Sequence, residues 1–383
     1  MTDRSEAEVT ADGDHPPVDP VVEVRGFETG AARPPQPTSP RASKPPHPTA
    51  DRHHPPVEPV ETTTTAVGDP TPVEPVETTT TAVGDPTPVE PVETTRRFWT
   101  DLGLPGLYDV HVHFLPENVQ RKVWAQFDQA GPKIGREWPI RYRGSHDERV
   151  ALLRELGVRR FPTLPYAHRP GIAGYLNEWA AGFAREVPES LWSATFYPET
   201  EAPAYVAELV EAGVEIFKVH VQVGEFHLHD PLLDNVWGTL AEAGTPVVIH
   251  AGSGPVGNAF TGPDPLRKVL ERHPRLAAVV AHMGAPEYAE FLALAEQYDR
   301  VHLDTTMVFT EFFEAEAPYP RELRDRLRDL QEKVLLGSDF PTIPYPYLHQ
   351  LEGLVRLDLG DDWLRDVCWH NGARLLGEDR RRP

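Results

Sequence analysis

Five residues in this chain have the types and positions for metal-assisted chemistry. His111 and His113 stand two apart at the end of an apolar run, in YDVHVHF. His250 ends VVIHAG, His282 ends VVAHMG, and Asp339 lies in LLGSDFP. Imidazole and carboxylate bind zinc and its relatives, and a catalytic site keeps one position for water. Five such groups supply three or four ligands and a base. An ion held by them lowers the pKa of a bound water towards ~7.

The His-x-His pair carries little weight alone. With 17 histidines in 383 residues, chance supplies roughly one such pair. A second, His227-Leu-His229, sits between Gly224-Glu225 and Asp230-Pro231, which is turn chemistry. The weight lies in the conjunction. Each of the other groups follows a short buried-type run, where barrel enzymes place their reactive residues. Side chains two apart on a strand point the same way, so both imidazoles of the first pair face one side.

Elements able to position these groups recur along the chain. Eight candidate strands are Leu107–His113, Val158–Leu164, Leu191–Tyr197, Glu215–Val221, Pro246–Ala251, Ala277–His282, Val301–Asp304 and Lys333–Ser338. Amphipathic stretches alternate with them, at Arg149–Leu156 behind a Ser145–Glu148 capping box, Ala204–Ala212, Pro231–Ala243, Asp264–His273, Glu287–Tyr298 and Asp361–Val367. The alternation predicts an α/β fold, a (β/α)₈ TIM barrel over residues 98–383. A doubly wound sheet is the competing reading. It calls for a dinucleotide or phosphate fingerprint, and the sequence has neither G-x-G-x-x-G nor a P-loop.

Residues 1–97 differ in kind. They hold 19 of the 42 prolines and a single aromatic residue, Phe27. Such a composition cannot bury enough apolar surface to offset its ordering entropy, so this segment reads as a disordered tail. Residues 57–72 read VEPVETTTTAVGDPTP and are repeated identically at 73–88; a third copy begins at Val89 and stops near Thr94. Without apolar periodicity the repeat reads as an extended spacer, with a docking arm as the alternative.

Net charge is −22 with no clustered basic patch, which argues against nucleic acid and anionic membranes as partners. The lone Cys368 excludes an internal disulfide, and no run approaches ~18 apolar residues. The reading is a cytoplasmic protein acting on a small molecule, with a homo-oligomer left open.

The segments YDVHVHFLP, EIFKVHVQVG, TPVVIHAG, VVAHMG, VLLGSDFP and NGARLLG together resemble the amidohydrolase superfamily over roughly residues 105–377. The similar branch is amidohydrolase-2, which includes aminocarboxymuconate-semialdehyde decarboxylase and related hydrolases. The resemblance implies a mononuclear metal centre with ligands His111, His113, His250 and Asp339. It makes His282 the residue that activates water, with Asp339 sharing the proton handling. Zinc is the default ion; manganese, iron and cobalt are alternatives. Hydrolysis is the preferred reaction and non-oxidative decarboxylation the alternative, with a non-catalytic scaffold as the reading from another class.

Residues for substrate are expected elsewhere on the rim. Lys218 shares a face with His220 and Gln222 and is assigned to substrate or structural use, although binuclear relatives carry a metal-bridging carboxylated lysine on that strand. His168 and Arg169, in YAHRP, could grip a carboxylate, and Ser253 with its neighbouring backbone an oxyanion. The long segment Leu115–Gly144, with Trp124, Phe127, Trp138 and Tyr142, reads as a lid or as an accessory packing element. Asn371 and Arg374 are assigned structural roles.

The ligand assignment separates the two His-x-His pairs. Asp339→Asn removes bound metal, whereas His227→Ala with His229→Ala leaves it intact; metal analysis of the purified variants decides, and loss of metal in the second variant contradicts the assignment.

Overall fold

The computed structural model describes residues 90–377. The expectations for residues 1–89, including the first two repeat copies, lie outside them.

All strand pairing is parallel. β1 (Leu107–Tyr108), β2 (Val158–Pro162) and β3 (Ser190–Leu191) form one run. β4 (Ser193–Thr195), β5 (Ile216–His220), β6 (Val247–His250), β7 (Ala278–Val280), β8 (Val301–Asp304) and β9 (Val334–Leu335) form another. β3 and β4 are parted only by Trp192, whose carbonyl still accepts from Glu215 N–H at 2.9 Å, so they act as one stave. The ring closes where Val112 pairs with Phe340, Val110 N–H donates to Leu336 O at 2.8 Å and His113 N–H to Phe340 O at 2.7 Å. Eight staves and their covering helices make a TIM barrel.

The strands are near-continuous apolar runs because a parallel barrel buries both of their faces. Val247, Val248 and Ile249 on β6 and Val279 and Val280 on β7 are fully buried. Helices fall close to their expected places. The helix His146–Leu156 starts on a complete capping box, Ser145 Oγ taking Glu148 N–H while the Glu148 carboxylate takes Ser145 N–H.

Three expectations need correction. Leu107–His113 is not one strand. β1 ends at Tyr108 after a register shift, because the Asp109 carboxylate captures the His111 N–H at 3.1 Å that a ladder would otherwise use. Likewise β7 stops at Val280, and His282 lies in the following tight turn Ala281–Gly284. The ordered barrel also begins before residue 98. A helix spans Val92–Asp101, with Thr95 fully buried, Phe98 and Trp99 packed on the core, and Trp99 Nε1–H donating to Leu156 O at 3.0 Å. The tail's proline and threonine content hides this helix, since its inward residues are few and straddle the change in composition.

No helix among the described residues is long and apolar enough to cross a membrane.

One glycine holds the barrel closure tight. A Cβ on Gly337 would crowd Thr306 Oγ1 and stand 2.9 Å from His111 Cβ. Gly337→Ala lowers unfolding stability by about 1–3 kcal/mol, the usual cost of overpacking a filled interior; an unchanged denaturant midpoint contradicts this packing.

Candidate metal centre

The reactive side chains meet at the C-terminal rim of the staves, as the barrel-rim rule requires. His111 and His113 flank Val112 on the irregular segment after β1, and Asp339 lies beyond β9. His111 Nε2 and His113 Nε2 are 3.1 Å apart. Asp339 Oδ1 is 3.1 Å from His113 Nε2 and 3.9 Å from His111 Nε2. Ligand atoms of these three residues all lie within 4.8 Å of one another.

Each ring is set by a bond on its far nitrogen. His111 Nδ1–H donates to Asp304 Oδ2 at 2.8 Å, and His113 Nδ1–H to Leu164 O at 3.1 Å. Both Nε2 atoms are left as lone-pair donors. Burial holds His111 well below the ordinary imidazole pKa, with Lys218 and His113 adding to the effect. Burial alone would raise Asp339, but the closeness of the His113, His111 and His282 rings outweighs it and holds the carboxyl at about 2. Two imidazoles and one carboxylate, mutually close and with the outer nitrogens of both rings already tied, fit a divalent cation.

His250 and His282 stand beside this set. The His282 ring is 5.2 Å from His111 and 4.8 Å from His250, centroid to centroid. Its Nδ1–H donates to Thr306 O at 3.1 Å, which leaves Nε2 as the acceptor, and burial lowers its pKa. The backbone at His282 is left-handed, φ 53°, as it is at Asp339, φ 69°. Such angles cost a non-glycine residue free energy and persist where surrounding bonds enforce them. Here Asp304 Oδ1 accepts His282 N–H at 2.9 Å, and His111 O accepts Asp339 N–H at 2.9 Å. His250 is engaged differently. Its Nε2–H donates to Gly254 O at 3.1 Å, and its ring stacks at 3.9 Å on His220, its register partner across β5 and β6. It lines the same cavity but is outside the group of three converging ligand atoms.

The cavity above these groups has a volume of about 100 Å³. Lys218 forms part of its polar floor, with Nζ 3.3 Å from His111 Nε2. Burial brings its pKa down to about 8 against the pull of Asp304 and Asp339. Tyr166, His220 and Gln222 continue the polar side. Val123, Phe127, Ile134, Trp138 and Phe313 supply apolar walls. Most of those come from Leu115–Gly144, which folds as helices Glu117–Phe127 and Ala130–Ile134 and covers the mouth.

Other expected substrate residues do not line this cavity. After β2 the backbone turns at Leu164, φ 38°, and presents Tyr166 instead of His168 and Arg169. Ser253 lines a neighbouring cavity of about 140 Å³; its N–H is taken by Glu287 at 3.0 Å and its hydroxyl by Thr261 at 3.2 Å, so neither is a free oxyanion donor. His227 and His229 pair with each other, and His227 also packs on Phe260, away from the centre. Asn371 Nδ2 ties Gln331 O and Val334 O, a structural use, while Arg374 reaches Glu332 at 4.0 Å.

Sequence reasoning missed Asp304, Tyr166 and Asp109. An acidic residue closing VHLD was a visible signal for Asp304. Tyr166 carried none, because its direction depends on the turn at Leu164. Asp109 accepts from His111 N–H, Ser338 N–H, the Ser338 hydroxyl and Tyr347 OH, a role visible only once β1 and β9 are adjacent.

Removing the carboxylate that orients His111 weakens the site. Asp304→Ala loses about 10–100-fold in metal affinity, the usual effect of deleting such a partner. Competition against a chromogenic chelator measures it; wild-type affinity contradicts the role.

Comparison with known proteins agrees with this fold. The family model described as amidohydrolase matches residues 108–377. Among solved structures, a TIM-barrel protein of Bordetella bronchiseptica superposes with TM-score 0.58 at 18% identity, covering 70% of this chain and 98% of that one. A 2,6-dihydroxybenzoate decarboxylase, solved with 2,6-dihydroxybenzoate, superposes at 0.52 with 16% identity, covering 71% and 99%. A 5-carboxyvanillate decarboxylase of Novosphingobium aromaticivorans, solved with manganese, superposes at 0.51 with 12% identity, covering 73% and 98%. At these identities the likeness shows the fold. No curated protein matches the chain.

Proposed function

We propose that this chain, which belongs to the amidohydrolase family, is a metal-dependent hydrolase of a small organic substrate, and that His282 is its general base. The observation that carries the reading is the orientation of His282. Its Nδ1–H is fixed on Thr306 O, so Nε2 is the free proton acceptor on a ring beside the His111–His113–Asp339 cluster.

His111, His113 and Asp339 would hold the ion. His250 would complete the set in its other tautomer, with the proton on Nδ1 and the bond from Nε2 to Gly254 O given up. A divalent ion bound there supplies Lewis acidity and lowers the pKa of water. The nitrogen-rich donors suit zinc, and manganese in the Novosphingobium relative makes it the first alternative. The chain's own residues do the rest. His282 Nε2 accepts the proton of the attacking water, and the Asp339 carboxylate, ionised throughout the neutral range, accepts a second hydrogen bond from it. Lys218 Nζ, at the cavity floor, steadies an anionic group of the substrate. Phe127, Trp138 and Phe313 exclude bulk water and strengthen these polar contacts.

A second reading is favoured by the same apolar walls. A water-poor chamber with one cation at its floor also suits loss of carbon dioxide from a small planar acid, with His282 managing the proton. The two decarboxylase relatives bear on this alternative.

His282→Ala keeps bound metal and loses roughly 10²–10⁴-fold in turnover, the range expected for removing a general acid–base group. Esters, lactones and amides are assayed beside carboxylated aromatics. Carbon dioxide release without a hydrolytic product refutes hydrolysis, and unchanged turnover in the variant refutes the role of His282.

A further inference from the structure

The cavity over the metal cluster does not end at its apolar wall. A second cavity of about 140 Å³ adjoins it, and the two share Ile134, Trp138, Gly254, Pro255 and Phe313 as lining. The far side of the second is made by Arg136, Ser253, Pro286, Phe312, Glu316 and Ala317. None of the proposed ligands lines it, nor does His282.

The partition between the two is fixed. Trp138 is buried, and its Nε1–H donates to Thr342 O at 2.8 Å. Its ring meets Phe127 of the first cavity at 5.5 Å and Phe312 of the second at 4.9 Å, centroid to centroid. Phe313 faces the proposed base. Its ring lies parallel to that of His282, with 9° between the planes and 6.2 Å between centroids. A substrate that spans both cavities therefore lies along Phe313, beside His282.

Size divides the substrate. A dry apolar cavity of about 150 Å³ holds a benzene ring. The cavity over the cluster, at about 100 Å³, is smaller than that before an ion, a water and a reacting carbonyl are placed in it. The second is close to ring size. A planar aromatic acid carries its reacting carbon on the ring and needs both in the smaller cavity. An acyl compound with its ring on a short chain divides between the two.

Charge sets the character of the ring. Arg136 is the cation lining the second cavity, and it is already engaged. Its guanidinium lies 3.6 Å over the Phe312 ring, Nη1–H donates to Phe312 O, and Nη1 stands 3.6 Å from Glu316 Oε1. A carboxylate on the tail meets a cation that Glu316 has already neutralised. Most of the remaining lining is apolar, so the seat suits a neutral ring.

We infer that the second cavity is the tail subsite of this enzyme, and that its substrate is a carboxylic ester or amide carrying a neutral ring on a short chain from the reacting acyl carbon. This rests on the hydrolase reading of the metal centre. Hydrolysis of such an ester joins the water oxygen to the acyl carbon and breaks the acyl C–O bond. The alcohol leaves with the proton that His282 took from the water.

Binding and turnover are measured separately on the metal-loaded full chain. Ala317 and Phe312 line the second cavity and not the first, so their variants leave the reacting end intact. In wild type, 3-phenylpropanoate binds about 10-fold or more tighter than propanoate by calorimetry, a difference that a filled hydrophobic pocket supplies. Methyl 3-phenylpropanoate exceeds both methyl propanoate and its own para-carboxylated analogue in kcat/KM. Ala317→Leu fills the seat and abolishes the ring preference in binding and turnover, while propanoate and methyl propanoate behave as with wild type. Phe312→Ala enlarges the seat and shifts the preference to 3-(2-naphthyl)propanoate. Equal wild-type affinity for propanoate and 3-phenylpropanoate overturns the subsite, and a preference for the carboxylated tail overturns its neutral character. Ring preference unchanged in both variants overturns its location; should Ala317→Leu not fold, Phe312→Ala decides this alone. Absence of ester turnover, with a ring preference in binding that Ala317→Leu removes, refutes hydrolysis and leaves the subsite standing.

Discussion

The structure depends on one buried carboxylate. Asp109 is wholly enclosed, and it accepts from two backbone N–H groups and two hydroxyls drawn from the first and last staves and from the segment beyond. Burial raises its pKa to about 7 against the opposing effect of those bonds. A buried acceptor of this kind is costly unless fully partnered, and its four donors come from three residues, His111, Ser338 and Tyr347. The condition that satisfies Asp109 is therefore the condition that closes the barrel. It also brings His111 and Asp339 together, because His111 follows Asp109 by two residues and Asp339 follows Ser338 by one.

A second carboxylate applies the same principle on the far side of the ligands. Asp304 ends β8 and bonds His111 Nδ1 with one oxygen, while its other oxygen takes the His282 and Thr306 N–H groups at 2.9 and 3.1 Å. One residue thus fixes the tautomer of a proposed ligand and the strained backbone of the proposed base. Together the two carboxylates explain how short, irregular strand ends hold the side chains at the rim. Regular ladder bonds would be stiffer, but they would also consume the N–H groups and turn angles that aim the side chains.

Chemistry and specificity are separated in the fold. The floor is built from strand ends and is polar: Lys218, the imidazoles and Asp339. The walls are built from the helices after β1 and from Phe313, and they are apolar. The cavity consequently has a polar pole and a hydrophobic enclosure contributed mainly by the segment after β1. Barrels commonly vary their substrates by changing such segments while the floor stays the same.

The sequence by itself determined the barrel, the rim positions of His111, His113, His250, His282 and Asp339, and the capping box at Ser145, because each is a local pattern of periodicity, strand ending or fixed spacing. It could not separate His250, whose Nε2 is held by Gly254, from the three residues whose ligand atoms converge, since that depends on how a loop returns to its strand. Nor could it reject His168, Arg169 and Ser253 as cavity residues; a left-handed turn and competing hydrogen bonds decided against them. The Val92–Asp101 helix was concealed by a composition that speaks for the average of a segment and not for the few residues that dock. Local order was legible because it is set by neighbours in the chain. Besides neighbours two residues off, Asp109, Asp304 and Glu90 take partners 22 to 257 residues away, and that proximity exists only in the folded molecule.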